Sequence, residues 1–185
     1  MAAPAACHRR GSRVTIASAD APVRLLTPAN ALAFRDIRLA GLATDPRAFS
    51  ADLGEESQRN IGWFAERLAS SDVFGVDDTD GGLCAVTGLA IPTNPKQAHK
   101  GHVWGVYVRP DARGRGLAAA LLAAVIAAAH GRVEALHLGV GTYNLAAIRV
   151  YGAAGFVGTG HEARALRIGD DYIDEMTMTL DLRRP

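Results

Sequence analysis

Between Val106 and Leu122 the chain reads VYVRPDARGRGLAAALL. Two arginines, Arg113 and Arg115, alternate there with two glycines, Gly114 and Gly116, and an apolar run follows. A strand, a Pro-Asp turn, a glycine-rich loop and a helix, in that order, leave several backbone N–H groups unpaired where the helix begins. The helix dipole adds partial positive charge at that point. Glycines let a ligand approach the backbone closely, and the arginines add full charges. Such a cluster is a receptor for phosphate or pyrophosphate. On these residues alone, a helix start with turn glycines and two solvated arginines is the competing reading. Two other phosphate loops fit poorly. A P-loop needs G-x-x-x-x-G-K-[ST], and no Lys-Ser or Lys-Thr follows here. A dinucleotide fingerprint needs G-x-G-x-x-G early in a parallel unit, whereas this loop sits mid-chain and Ala119 stands in place of the third glycine.

A second polar group lies downstream. Asn144 and Tyr151 are seven residues apart, two helical turns, so both fall on one face with Ile148 between them. The plain alternative is an N-cap asparagine and a half-buried tyrosine with its hydroxyl in water. His99, Lys100 and His102 lack the spacing and the partners of a metal site, so no metal is expected.

These residues need elements to position them. Val23–Thr27 reads as a short strand, and Thr27 can cap a helix with Pro28 at its first position. Leu32, Ile37 and Leu39 continue a helical pattern that Pro46 and Gly54 break. A second helix is expected from about Glu55 to Ala69, with Ile61, Phe64, Ala65 and Leu68 on one face. DDTDGG is a hairpin-type loop before a strand over Leu83–Ile91, and His102–Val108 is the next strand. A long helix from Gly116 to His130 follows, then the strand ALHLGV and a helix that closes on Gly155. The C-terminal stretch forms two strands around the turn IGDD. Strands in a block followed by strands alternating with helices predict an α/β (α+β) fold, a mixed sheet with helices on both faces.

Composition sets the outer bounds. The chain has 185 residues, 49% hydrophobic and 21% charged, with formal net charge +1. That predicts a globular protein with no global basic field for nucleic acid. Two cysteines, Cys7 and Cys84, make no disulfide framework and suit a reducing cytoplasm. The longest Ala/Leu-rich stretch, Leu117 to Ala129, is too short to span a bilayer. Residues 1–12 are Ala- and Arg-rich without a signal-type apolar core and read as a flexible tail, with a short strand near Val14–Ile16 as an option. Residues 13–185 then form a single domain.

Arg113-Gly114-Arg115-Gly116-Leu117-Ala118 resembles the [QR]-x-x-G-x-[GA] signature of the GNAT superfamily, the acetyl-CoA-dependent N-acetyltransferases. LGVGTYNLAAIRVYGAAGF is similar to that family's second conserved block, in which an Asn opens a helix and a Tyr precedes Gly-Phe. The stretches FRDIRLAGLATDPRAFSADLGEE and LRIGDDYIDEMTMTL also resemble bacterial members. The resemblance implies a mostly antiparallel central sheet whose fourth and fifth strands splay apart around acetyl-CoA. It implies pyrophosphate on the backbone of Arg113, Gly114, Arg115, Gly116, Leu117 and Ala118, and the pantetheine arm along Val106, Tyr107 and Val108. It implies that Tyr151 protonates the departing thiolate and that Asn144 caps its helix and contacts the cofactor arm or a water. Many members place a Glu as base six residues before the position of Val108. Here that residue is His102, a departure, and a histidine can serve as base near neutrality. Glu55 and Glu56 are weaker candidates for the base. Asp171, Asp174 and Glu175 are candidates for shaping an amine pocket.

The expected activity is transfer of acetyl to a primary amine of a small molecule or peptide, by direct attack in a ternary complex. No membrane and no nucleic acid are expected as partners, and a homodimer is an option. A non-catalytic acyl-CoA-binding module on the same fold, and a nucleic-acid-associated protein using Arg113 and Arg115, are the rival readings.

Overall fold

The computed structural model describes residues 22–79 and 81–183. The expected tail and the optional strand near Val14–Ile16 lie outside those residues. The elements run β1 (Val23–Leu25), α1 (Ala31–Thr44), α2 (Leu53–Ser57), α3 (Ile61–Ser70), β2 (Asp72–Asp77), β3 (Leu83–Ala90), β4 (Lys100–Val108), α4 (Leu117–Ala129), β5 (Ala135–Gly141), α5 (Leu145–Ala153), β6 (Val157–Ile168) and β7 (Asp171–Asp181). Short 3-10 turns occur at Pro28–Asn30, Pro46–Ala48 and Pro110–Ala112.

Seven strands form one sheet in the order β1-β2-β3-β4-β5-β7-β6. Every adjacent pair is antiparallel except β4 and β5. Helices cover both faces, as the alternating pattern predicts. On one face α1 and α3 bury Phe34, Ile37, Phe64 and Leu68 against Val73, Leu83 and Val86. On the other, α4 and α5 bury Leu122, Val125, Ala129 and Tyr151 against Val103, Leu136, Leu138 and Met178. β3, between the two layers, is buried from Leu83 to Leu89, which explains its unbroken apolar run. α4 is LAAALLAAVIAAA, an alanine-rich sequence of high helix propensity that lies close to the sheet.

Two elements differ from the expectation. The helix expected over Glu55–Ala69 is two helices, because Asn60 starts a new one: its side chain accepts from the Trp63 N–H at 3.0 Å, which caps α3. β2 is an additional strand just ahead of the DDTDGG loop, pairing with β3 from Asp72↔Leu89 to Asp77↔Leu83. At the first turn Thr27 is the N-cap, with Pro28 after it, and Asn30 completes a capping box. The Asn30 carboxamide oxygen accepts from the Thr27 N–H at 2.9 Å.

The parallel pairing of β4 with β5 stops almost where it starts. It comprises Lys100↔Ala135, Gly101↔Leu136 and His102↔His137. Beyond His102 the two strands part, while β4 stays paired to β3 as far as Ala85↔Val108 and β5 stays paired to β7 as far as Gly141↔Glu175. A register shift in the β3–β4 ladder brackets Gly105, whose φ of 63° lies in the left-handed region glycine tolerates. The outer strand β6 is exposed along most of its length and shifts register against β7 twice, between Gly158 and Gly160 and between Glu162 and Leu166. Arg164, within the second shift, has φ of 57°.

Candidate active site

The parted ends of β4 and β5 enclose a cavity of about 710 Å³. Its floor at the β4 side is Val106, Tyr107 and Val108. Its mouth is the loop from Arg113 to Ala118, and α5 walls the far side with Asn144, Val150 and Tyr151. All the residues singled out for cofactor binding line this one cavity except Arg115, which is exposed outside it.

The loop leaves a row of backbone donors free at the start of α4. The N-cap of α4 is Gly116, which has φ of 76° and no side chain to cap the helix. The N–H groups of Gly114, Arg115, Gly116, Leu117, Ala118 and Ala119 have no acceptor among the described residues; the first helical bond runs from Ala120 N to Gly116 O at 3.1 Å. Gly114 has φ of 78° and open space where a Cβ would stand. Six unpaired donors at the positive end of a helix fit a diphosphate.

The arginine side chains are arranged differently from the backbone. Arg113 turns across the mouth, its Nη2 2.5 Å from Asp45 Oδ2 and its Nε donating to the Val108 carbonyl at 3.1 Å. Arg47, two residues beyond Asp45, lies 4.9 Å from the centre of the Tyr143 ring. The segment after α1 is therefore tied to both lips of the cleft. Asp45 and Tyr143 gave no sequence signal, since their roles depend on where α1 ends in space. Tyr107 also lines the cavity. Its ring packs on Gly41, and its hydroxyl lies 3.1 Å from Thr44 Oγ1.

Asn144 caps α5, its Oδ1 accepting from the Ala147 N–H at 3.1 Å, and also lines the cavity. Tyr151, two turns on, is 7% exposed and packs edge-on to Phe156. Loss of water pushes its hydroxyl up to about 12.

A second cavity of about 530 Å³ adjoins the first. Ala48, Phe49, Val106, Gly139 and Tyr151 line both, so they form a common wall. His102 and Glu175 open onto the second cavity. Desolvation holds His102 below the ordinary imidazole value, although the residue as a whole is exposed. Burial, aided by the charge of Glu162, raises Glu175 above the ordinary carboxylate value. Of the three acidic candidates near the hairpin only Glu175 reaches this cavity. Asp174 accepts from the Arg164 N–H at 2.7 Å, and Asp171 pairs with Ile168 beside the turn.

Glu56 also lines the second cavity, but it is committed. Arg38 forks onto it, with Nε to Oε2 at 3.0 Å and Nη2 to Oε1 at 2.9 Å, the two residues being 8% and 6% exposed. Glu55 is exposed and pairs with Arg59. Arg67 and Trp104 complete the wall and were not legible as site residues. Among the described residues no group of three or more His, Cys, Asp or Glu side chains could hold a metal, and no helix is long and apolar enough to cross a membrane.

A splayed parallel pair, a helix start with free amides at its mouth and an adjoining cavity define an acyl-CoA type of transferase site. The chain belongs to the acetyltransferase (GNAT) family, whose sequence model matches residues 39–156, and it is an acyltransferase of that family. No curated protein matches it. Solved structures with the same fold include a GNAT-family acetyltransferase from Streptococcus pneumoniae, 22% identical, with TM-score 0.77 over 88% of this chain and 99% of that one. Another is yncA, a putative acetyltransferase from Salmonella typhimurium solved with acetyl-CoA, 20% identical, TM-score 0.72, covering 88% and 94%. A ribosomal-protein-alanine N-acetyltransferase from Brucella melitensis is 22% identical with TM-score 0.69, covering 87% and 99%.

Proposed function

We propose that this acyltransferase moves the acetyl group of acetyl-CoA onto a primary amine of a small molecule or peptide, with both substrates bound at once. The supporting observation is the common wall. A donor lying in the first cavity and an acceptor lying in the second would meet at Ala48, Phe49, Val106, Gly139 and Tyr151.

Acetyl-CoA, when bound, supplies an activated acyl carbon attached to a stable leaving thiolate. The remaining tasks fall to the chain. The amides of Gly114 through Ala118, with the helix dipole, hold the diphosphate. The unpaired side of β4 at Val106, Tyr107 and Val108 takes the pantetheine arm as an added strand, and a strand N–H there polarises the acyl oxygen. Asn144 fixes the start of α5 and with it the direction of Tyr151.

The acceptor amine attacks as the neutral base, forming the C–N bond as the C–S bond breaks. Its proton passes to His102, directly or through water. Depression of the imidazole pKa keeps His102 neutral and able to accept it. The sulfur takes a proton from the Tyr151 hydroxyl, which solvent then restores. Because its pKa is raised to about 12, Tyr151 retains that proton at neutral pH. No metal takes part, and cysteine usage favours a cytoplasmic setting.

The test is an amine panel with thiol release from acetyl-CoA as the readout, alongside calorimetry of acetyl-CoA binding. Tyr151→Phe is expected to lower kcat by about 100-fold, within the usual range for a lost proton donor, with acetyl-CoA affinity retained. Absence of saturable acetyl-CoA binding at tens of micromolar, roughly the range expected of such a site, overturns the proposal.

A further inference from the structure

The second cavity holds an arginine that no carboxylate pairs with among the described residues. Arg38 and Arg67 both line it. Arg38 is matched by the fork onto Glu56, and that fork occupies both oxygens of the carboxylate. Arg67, from the last turn of α3, has no such match. It makes no ion pair among the described residues, and its buried Nε donates to nothing. Its guanidinium carbon lies 4.9 Å from the centre of the Trp63 ring and 4.6 Å from that of Trp104.

This arrangement is costly without a ligand. Burial and the neighbouring charge of Arg38 both hold Arg67 below its ordinary value, and Glu56 opposes them only in part. A guanidinium nevertheless keeps its proton at neutral pH, so the cation persists. Packing against two indoles satisfies the faces of the guanidinium and fixes its plane. What remains is the in-plane row of N–H donors, whose geometry matches a carboxylate. Ser70 and Ser71, where α3 ends, also line this cavity, the Ser70 hydroxyl donating to the Arg67 carbonyl at 3.4 Å. With Arg38 offset by Glu56, the remaining charges there are Arg67 and Glu175, so a polyamine or other polycation would meet an unpaired guanidinium as well as a carboxylate.

We infer that the acceptor is an amine that also carries a carboxylate, an amino acid or a short peptide-like acid, whose carboxylate is held by Arg67 while its amine stands at Tyr151. This assignment rests on reading the second cavity as the acceptor site.

The test compares matched acceptors: a set of amino acids with aliphatic, aromatic and polar side chains, the carboxamide of each, and the amine left when the carboxylate is removed. Rates are read as thiol release from acetyl-CoA. At least one free acid is expected to exceed its carboxamide by about tenfold or more in kcat/KM, the size of one charged hydrogen-bonded contact. Arg67→Gln is expected to bring that ratio close to one, mainly through KM. Arg67→Lys, which keeps the charge but loses the fork, is expected to retain part of the ratio, and it stands in for Arg67→Gln if the latter no longer binds acetyl-CoA. Carboxamides or simple amines that serve as well as the acids overturn the inference, as does an acid-to-amide ratio unchanged by both variants.

If no amine is acetylated although acetyl-CoA binds, the proposed reaction fails and the carboxylate site is read by itself. Trp63 and Trp104, the only tryptophans in the chain, both flank Arg67. N-acetyl amino acids are then titrated against their amides by tryptophan fluorescence. A saturable change specific to the acids and lost in Arg67→Gln supports the inference; no difference between acid and amide overturns it.

Discussion

Tyr151, His102 and Glu175 carry a phenol, an imidazole and a carboxyl, yet their surroundings push all three the same way. Each is moved toward its neutral form, chiefly by loss of water: the phenol and the carboxyl upward, the imidazole downward. The same surroundings would favour the neutral form of an amine held between them, the form that the proposed reaction requires. The pH dependence follows with a definite sign. Folded His102 binds its proton less readily than an unfolded histidine, whose ordinary value is 6.5. Below 6.5 the unfolded chain therefore holds more protons at this position, and stability falls as pH drops through that window. Activity should show an acid limb centred below 6.5. His102→Gln is expected to abolish that limb, whereas Glu175→Gln leaves it in place; a profile of kcat/KM against pH for the two variants decides between them.

Among the elements, legibility tracked how local each determinant is. The loop before α4 was readable because Arg-Gly-Arg-Gly carries its own conformational demand, and two of its positions do have positive φ. α5 was readable from a cap and a seven-residue spacing. β2 was passed over because DVFGVD is short and carries a glycine, and it is held by β1 and β3 on either side, distant partners that no local pattern displays. The break between α2 and α3 turns on one asparagine inside an otherwise continuous helical pattern. The wall of the second cavity was the least legible part. Arg38, Glu56, Arg67 and Trp104 come from four elements, and nothing in their spacing announces that they meet. Gly88 on β3 illustrates the dependence, because a Cβ there would lie 2.2 Å from the Trp104 indole. Gly88→Ala is expected to displace that ring, destabilise the protein by about 1–3 kcal/mol as overpacking does, and shift the tryptophan emission. Denaturant unfolding followed by fluorescence measures both effects.

At the scale of the whole molecule, the sheet leaves strand pairing unmade where β4 and β5 part. A ligand that pairs with β4 and fills the cleft would bind the folded chain and not the unfolded one. At about 100 times its Kd such a ligand adds about 2.7 kcal/mol, which for a chain of this size raises Tm by roughly 5–10 °C. Acetyl-CoA is expected to produce that shift in a thermal melt, and a CoA fragment lacking the diphosphate is expected to produce much less. A further backbone margin runs along β6, one of the two edge strands of the sheet. A long flat margin invites other chains to dock onto it and grow into fibres. Here two misalignments and a left-handed arginine interrupt the repeat at Gly158–Gly160 and Glu162–Leu166. An incoming chain could match only a few consecutive residues of this margin before falling out of step.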